Sequence, residues 1–156
     1  MIESQTDVVV REVRIAARPE TIFPFLTDPK QMVRWKGIEA TLEPRPGGDY
    51  RVRLNDLHVA RGQYLEVVPY SRVVFSWGWE GEGHPVPPGS SRVEITLTPD
   101  GSDTVVRLVH SGLPAAARES HGQGWDHFLP RLAIVIGGGD PGPDPMAQPP
   151  ADDQPR

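Results

Sequence analysis

Between Ile38 and Gly112 the chain is cut into six strand-like runs by short turn-forming segments, and this rhythm restricts the fold more than any other feature. The runs are IEATLEPRPGG, DYRVRLN, HVARGQYLEVVPY, SRVVFSWGWE, SRVEITLTPDGSD and TVVRLVHSG. β-Branched and aromatic residues recur in them, and PGG, VPYS and PDGS supply Gly, Pro or Asp where hairpins need them. Breaks this short join antiparallel neighbours, since a parallel crossover needs a dozen or more residues. An antiparallel meander is therefore expected. The longer break GEGHPVPPGS holds too much proline for a strand and reads as a mobile hairpin loop.

Other patterns flank the meander. In VVVREVRIAARP, Val9, Arg11, Val13 and Ile15 fall in period-two register, which predicts a first strand ending at Pro19. RPETIFPFLTDP follows as a short helix, with Pro19 in its first turn, Glu20 at the positive end of the dipole, and Ile22, Phe25 and Leu26 on one face. Pro24 falls early enough to be tolerated. PKQMVRW predicts a second short helix leading to Trp35. After the meander, a helix beginning near Leu113 to Glu119 carries Trp125, Phe128, Leu129, Leu132 and Ile136 at helical spacing, with a bend expected at Pro130 and an end at Gly137 to Gly139. Gly122 and Gly124 place its regular part only from about Trp125 and leave His121 in a loop.

A length of 156 residues suits one domain with a real core. That domain is assigned to residues 1–138, and the Gly- and Pro-rich 139–156 to a flexible tail. The net charge of -5 and the absence of a clustered basic face argue against nucleic-acid binding. With no cysteine, disulfides, thiolate nucleophiles and Cys-based zinc sites are excluded. No run resembles a membrane span, and MIESQTDVVV lacks the basic start and apolar centre of a secretory signal, so a soluble cytoplasmic protein is expected.

One strand, two short helices, a six-strand meander and a terminal helix make an α+β layout in which a curved seven-stranded sheet wraps around the long helix. A hollow can remain between them. Trp35, Phe75, Trp77, Trp79 and Trp125 suit a roomy apolar interior, and equally a solid aromatic core.

Taken together, IAARPETIFPFLTDPKQMVRW, GGDYRV, GQYLEVVPYSRVVFSWGW, PPGSSRVEITLTPDG with TVVRLVHSGLP, and GW followed by FLPRL resemble the SRPBCC or START-like helix-grip superfamily over about Val8 to Gly138. Within it, the chain is similar to the activators of the heat-shock protein 90 ATPase. The resemblance implies a strongly bent seven-stranded sheet gripping the carboxy-terminal helix, with a ligand cavity between. It implies no single reaction, because the superfamily holds lipid carriers, hormone receptors, polyketide cyclases and co-chaperone domains.

The chemical candidates are few. His121 and His127 stand six apart, about 120° from an eclipsed arrangement on a helix, so they do not converge on a metal. His110 ends a strand, either as a hydrogen-bonded structural residue or as a proton donor at a pocket rim. His84 lies in the proline loop, which can fold over a cavity mouth. Glu66 and Glu94 alternate with apolar residues and face water, and Ser90 and Ser91 lack a nucleophile elbow. No cofactor is expected. Phe25, Trp35, Phe75, Trp77, Trp79, Trp125, Phe128, Leu129 and Leu132 are the candidate cavity wall, with Arg53, Tyr64 or His110 orienting the guest. Asp126, His127 and Arg131 are expected to stay wet. The leading expectation is a non-enzymatic module, monomer or homodimer, that holds a small hydrophobic or aromatic molecule. A cyclase- or hydrolase-like enzyme using the same hollow is one alternative; a stress-related co-chaperone-like domain with a chaperone as partner is another.

Overall fold

The computed structural model describes residues 8–147. Its elements are β1 (Val9–Ile15), the short helices α1 (Pro19–Ile22), α2 (Pro24–Thr27) and α3 (Pro29–Met32), β2 (Glu39–Leu42), β3 (Asp49–Arg53), β4 (Val59–Val68), β5 (Arg72–Trp77), β6 (Ser91–Asp100), β7 (Asp103–Ser111), and the long helix α4 (Ala115–Ile136). A single 3₁₀ turn follows at Pro145–Ala147.

All seven strands form one curved antiparallel sheet in the order β1-β7-β6-β5-β4-β3-β2. The six meander strands pair with their sequence neighbours, and β1 closes the far side by pairing with β7 from Val9↔His110 to Ile15↔Thr104. The register slips between Tyr64 and Glu66, so Leu65 is a bulge residue, which bends β4. Alternation decides which face is dry: in β6, Val93, Ile95 and Leu97 are buried while their neighbours are not. On the outer face Arg72 joins Glu66 and Glu94 at 3.0 and 2.8 Å, so both carboxylates face away from the interior.

The first predicted helix is two turns. Pro24 has no N–H, and a separate turn, α2, starts there, directly after α1 is closed by the Phe23 N–H donating to the Pro19 carbonyl at 2.9 Å. The long helix starts at Ala115, within the expected Leu113 to Glu119, but its regular part does not wait for Trp125: the helix is continuous from Ala115, and His121, expected in a loop, lies within it. Both glycines are tolerated there because of what they face. A Cβ at Gly122 would come 2.6 Å from the Arg11 guanidinium and 3.7 Å from Val9, so this glycine lets α4 seat closely on β1, whereas at Gly124 nothing lies within 4 Å.

Trp125, Phe128, Leu129, Leu132 and Val135 make the buried face of α4. Asp126 is exposed and pairs with Arg11 at 2.6 Å, whereas His127 and Arg131 are only half-exposed. Among the described residues no helix is long and apolar enough to cross a membrane.

Candidate functional site

The interior between sheet and α4 divides into two ends. At one end the aromatic rings are packed solid: Tyr50 stacks on Phe75 at 4.0 Å, and Tyr64 meets both rings edge-on at 5.8 and 6.1 Å. The polar tips there are used internally. Tyr64 donates to the Leu26 carbonyl at 3.0 Å, and the Trp35 indole donates to the Phe25 carbonyl at 2.9 Å.

At the other end a cavity of about 570 Å³ lies against Trp77, Trp79, Trp125 and Phe128. Its remaining wall comes from Leu54, Asn55 and His58 after β3, from His84 to Val86 in the proline loop, from the first turns of α4, and from Met146. The chain reaches this last position because the segment after α4 turns back. Arg131 donates to the Pro141 and Gly142 carbonyls, His127 meets Asp144 at 2.7 Å, and Asn55 donates to the Met146 carbonyl at 2.7 Å. Residues 148–156, the rest of the expected flexible tail, lie outside the described residues.

Of the twelve cavity candidates, Trp77, Trp79, Trp125 and Phe128 line the cavity and the others do not. Phe25, Trp35, Tyr64 and Phe75 belong to the solid end, and Leu129 and Leu132 to the core. Arg53 points to the outer face of the sheet, where it pairs with Glu39 at 3.2 Å. The reason is register: Tyr50 and Val52 take the inward positions of β3, which puts Arg51 and Arg53 outside.

His110 is fully buried behind the aromatic wall, and its hydrogen bonds fix its tautomer. The Trp125 indole donates to its Nδ1 at 3.1 Å. The Ser91 hydroxyl donates its one proton to the Trp77 carbonyl at 2.8 Å, so at 2.9 Å from His110 Nε2 it accepts. The ring is thus neutral with its proton on Nε2, and burial, reinforced by His121 and Lys36, depresses its pKa from 6.5 to about 3. His110 ties α4 to β5, β6 and β7. It has no free nitrogen for proton transfer.

His121 makes a similar tie. The Trp79 indole donates to its Nε2 at 2.9 Å, so Nδ1 holds the proton given to the Ala117 carbonyl at 2.7 Å. Burial lowers its pKa also. Its position was readable in principle, because residues 121, 125 and 128 share one helical face once the helix is extended back.

Lys36 is a site residue that the sequence did not flag. It follows α3 in a turn, is 3% exposed, and lines the cavity. Its Nζ lies 4.1 Å from the centre of the Trp125 ring, 5.6 Å from Phe128 and 6.0 Å from Trp77. Burial lowers its pKa from 10.5 to about 7. No periodic signal marks such a residue, because a turn, and neither a helical nor a strand face, carries it inward.

The profile of a family described as activator of Hsp90 ATPase homolog 1-like protein matches residues 16–137. The chain belongs to that family. An AHSA1-like protein from Rhizobium etli is 46% identical in sequence, with 96% of this chain and 93% of that one covered and a TM-score of 0.71. DynU16, from the dynemicin biosynthetic locus, is 26% identical with a TM-score of 0.75; 88% of this chain covers 50% of that one, so the chain spans half its length. An HSP90 activator from Plasmodium falciparum is 19% identical with a TM-score of 0.70, over 83% of this chain and 96% of that one, a likeness of fold alone. A search of curated proteins finds no match. The seven-stranded sheet closed on α4 gives this chain the helix-grip architecture.

Proposed function

We propose that this family member binds a small hydrophobic ligand between sheet and α4, without catalysing a reaction. The observation that carries this reading is the cavity of about 570 Å³ walled by Trp77, Trp79, Trp125 and Phe128, a size within the usual range for small-molecule sites of ~300–1,000 Å³. Solid packing would serve stability better, since an unfilled space forfeits dispersion contacts along its lining. Binding would proceed by desolvation of the guest against the indole and phenyl faces.

Two features favour holding over chemistry. His110, the acid-base candidate of the sequence, has both ring nitrogens committed to structural bonds. Asn55 and His58 are likewise turned on each other, at 3.1 Å. The likeness to an HSP90 activator is one of fold and does not favour a chaperone partner.

Gly124 supplies the test, because a side chain there enters open space. Wild-type protein is expected to enhance the fluorescence of 1-anilinonaphthalene-8-sulfonate saturably, and Gly124→Phe to abolish the signal while melting at the same or a higher temperature. Equal enhancement by a folded Gly124→Phe would refute the reading.

A further inference from the structure

We infer that the ligand carries a carboxylate, held by Lys36 inside the aromatic cavity, so that the natural guest is an apolar organic acid. This inference rests on the ligand-binding reading above and adds the chemistry of the guest's polar end.

The charge inventory of the wall points this way. Its titratable residues are Lys36, His58, His84 and His121, all of them bases, with no Asp or Glu among them. His121 uses both ring nitrogens, towards Trp79 and Ala117, and His58 directs Nδ1 at Asn55. Asn55 has its oxygen on the backbone N–H groups of Leu57 and His58 and its amide on Met146. Lys36 is different. Among the described residues no carboxylate pairs with it and no hydrogen bond is made by its Nζ, although its side chain is buried and reaches the cavity.

A buried ammonium without a partner is costly, and buried charges in folded proteins are ordinarily paired. The faces of Trp125 and Phe128 meet part of that demand, but a ring supplies far less than an anion. The titratable groups facing Lys36 from the neighbouring elements, His110 of β7 and His121 of α4, are both neutral bases and offer it no negative charge. A carboxylate in the cavity would meet Nζ at hydrogen-bond distance and leave its apolar body against Trp77, Trp79 and the proline loop. In its ammonium form Lys36 is donor-only and selects an acceptor, and an anion over a neutral acceptor. Occupancy would also return Lys36 to its protonated form, so binding above neutral pH takes up a proton.

The test is calorimetric titration of the whole chain with two acids, dodecanoate and 2-naphthylacetate, and with their neutral alcohols, 1-dodecanol and 2-naphthaleneethanol. At least one acid is expected to bind about tenfold or more tighter than its alcohol, the gain typical of a charge-assisted contact in a desolvated site. At pH 8, titration in buffers of different ionisation enthalpy should show net proton uptake on binding the acid. Lys36→Met should bring acid and alcohol to similar affinity, and Lys36→Arg should restore the preference for the acid. If alcohols and acids bind the wild type equally, the carboxylate assignment is overturned while the cavity reading stands. If neither acids nor alcohols bind, the cavity reading itself fails. The wild-type comparison decides the matter even where a variant does not fold.

Discussion

His110 shows most directly how one residue organises this interior. Its two ring nitrogens link Trp125 on α4 to Ser91 on β6, and through Ser91 to the Trp77 carbonyl. His110→Ala should therefore lose about 2–4 kcal/mol in a denaturant melt, the range for breaking a buried network and leaving its donor unmet. Because the folded pKa is depressed from 6.5 to about 3, the unfolded chain binds the proton first; this contribution is whole above about 6.5 and is lost as pH falls towards 3. Acid unfolding of the wild type should be steeper across that window than that of His110→Phe. Lys36 carries the corresponding signature at the alkaline side. With its pKa lowered from 10.5 to about 7, the unfolded chain holds the extra proton between those values, so the empty protein gains stability as pH rises from 7. Above 10.0 the buried Tyr50 and Tyr64 oppose this, since burial pushes both phenols up. Melts of wild type and Lys36→Met compared between pH 7 and 9 should isolate the effect: the slope is expected to vanish in the variant. The sequence announced the rings and not the lysine, because aromatic spacing on a strand or helix is periodic, while Lys36 is carried inward by a turn after α3.

At the scale of elements, strand order and the hairpin turns were readable because period-two alternation and Gly, Pro and Asp breaks are local. The regularity of the first turns of α4 was not. Gly122 and Gly124 carry low helix propensity, and tertiary packing overrides it: one glycine admits β1 closely and the other borders the cavity. This difference gives a paired expectation. Gly124→Ala meets open space and should raise stability by about 1 kcal/mol, or ~2–4 °C in melting temperature. Gly122→Ala has to displace the Arg11 guanidinium from its place beside Asp126 and should gain less. Equal gains at the two positions would contradict the packing described for α4.

For the molecule as a whole, the curved sheet and the single long helix close on packed rings at one end of the grip and leave open space between rings at the other. Tyr50, Tyr64 and Phe75 close the far end, while Trp77, Trp79, Trp125 and Phe128 border open space. Which rings pack solid and which border a cavity depends on how far the curved sheet stands from α4, and residue spacing along one strand does not encode that distance. Filling the gap should stabilise the fold by mass action, by about 2.7 kcal/mol at a ligand concentration one hundred times the dissociation constant. The four indole N–H groups report on the site independently of any variant. Three belong to residues of the cavity wall, and the fourth, in Trp35, is bonded to the Phe25 carbonyl beyond it. In a ¹H–¹⁵N NMR titration with dodecanoate, the Trp77, Trp79 and Trp125 indole signals should shift and saturate at one ligand per chain while Trp35 stays in place. No movement of the three, or movement of Trp35 as large as theirs, would contradict a ligand seated between the sheet and α4.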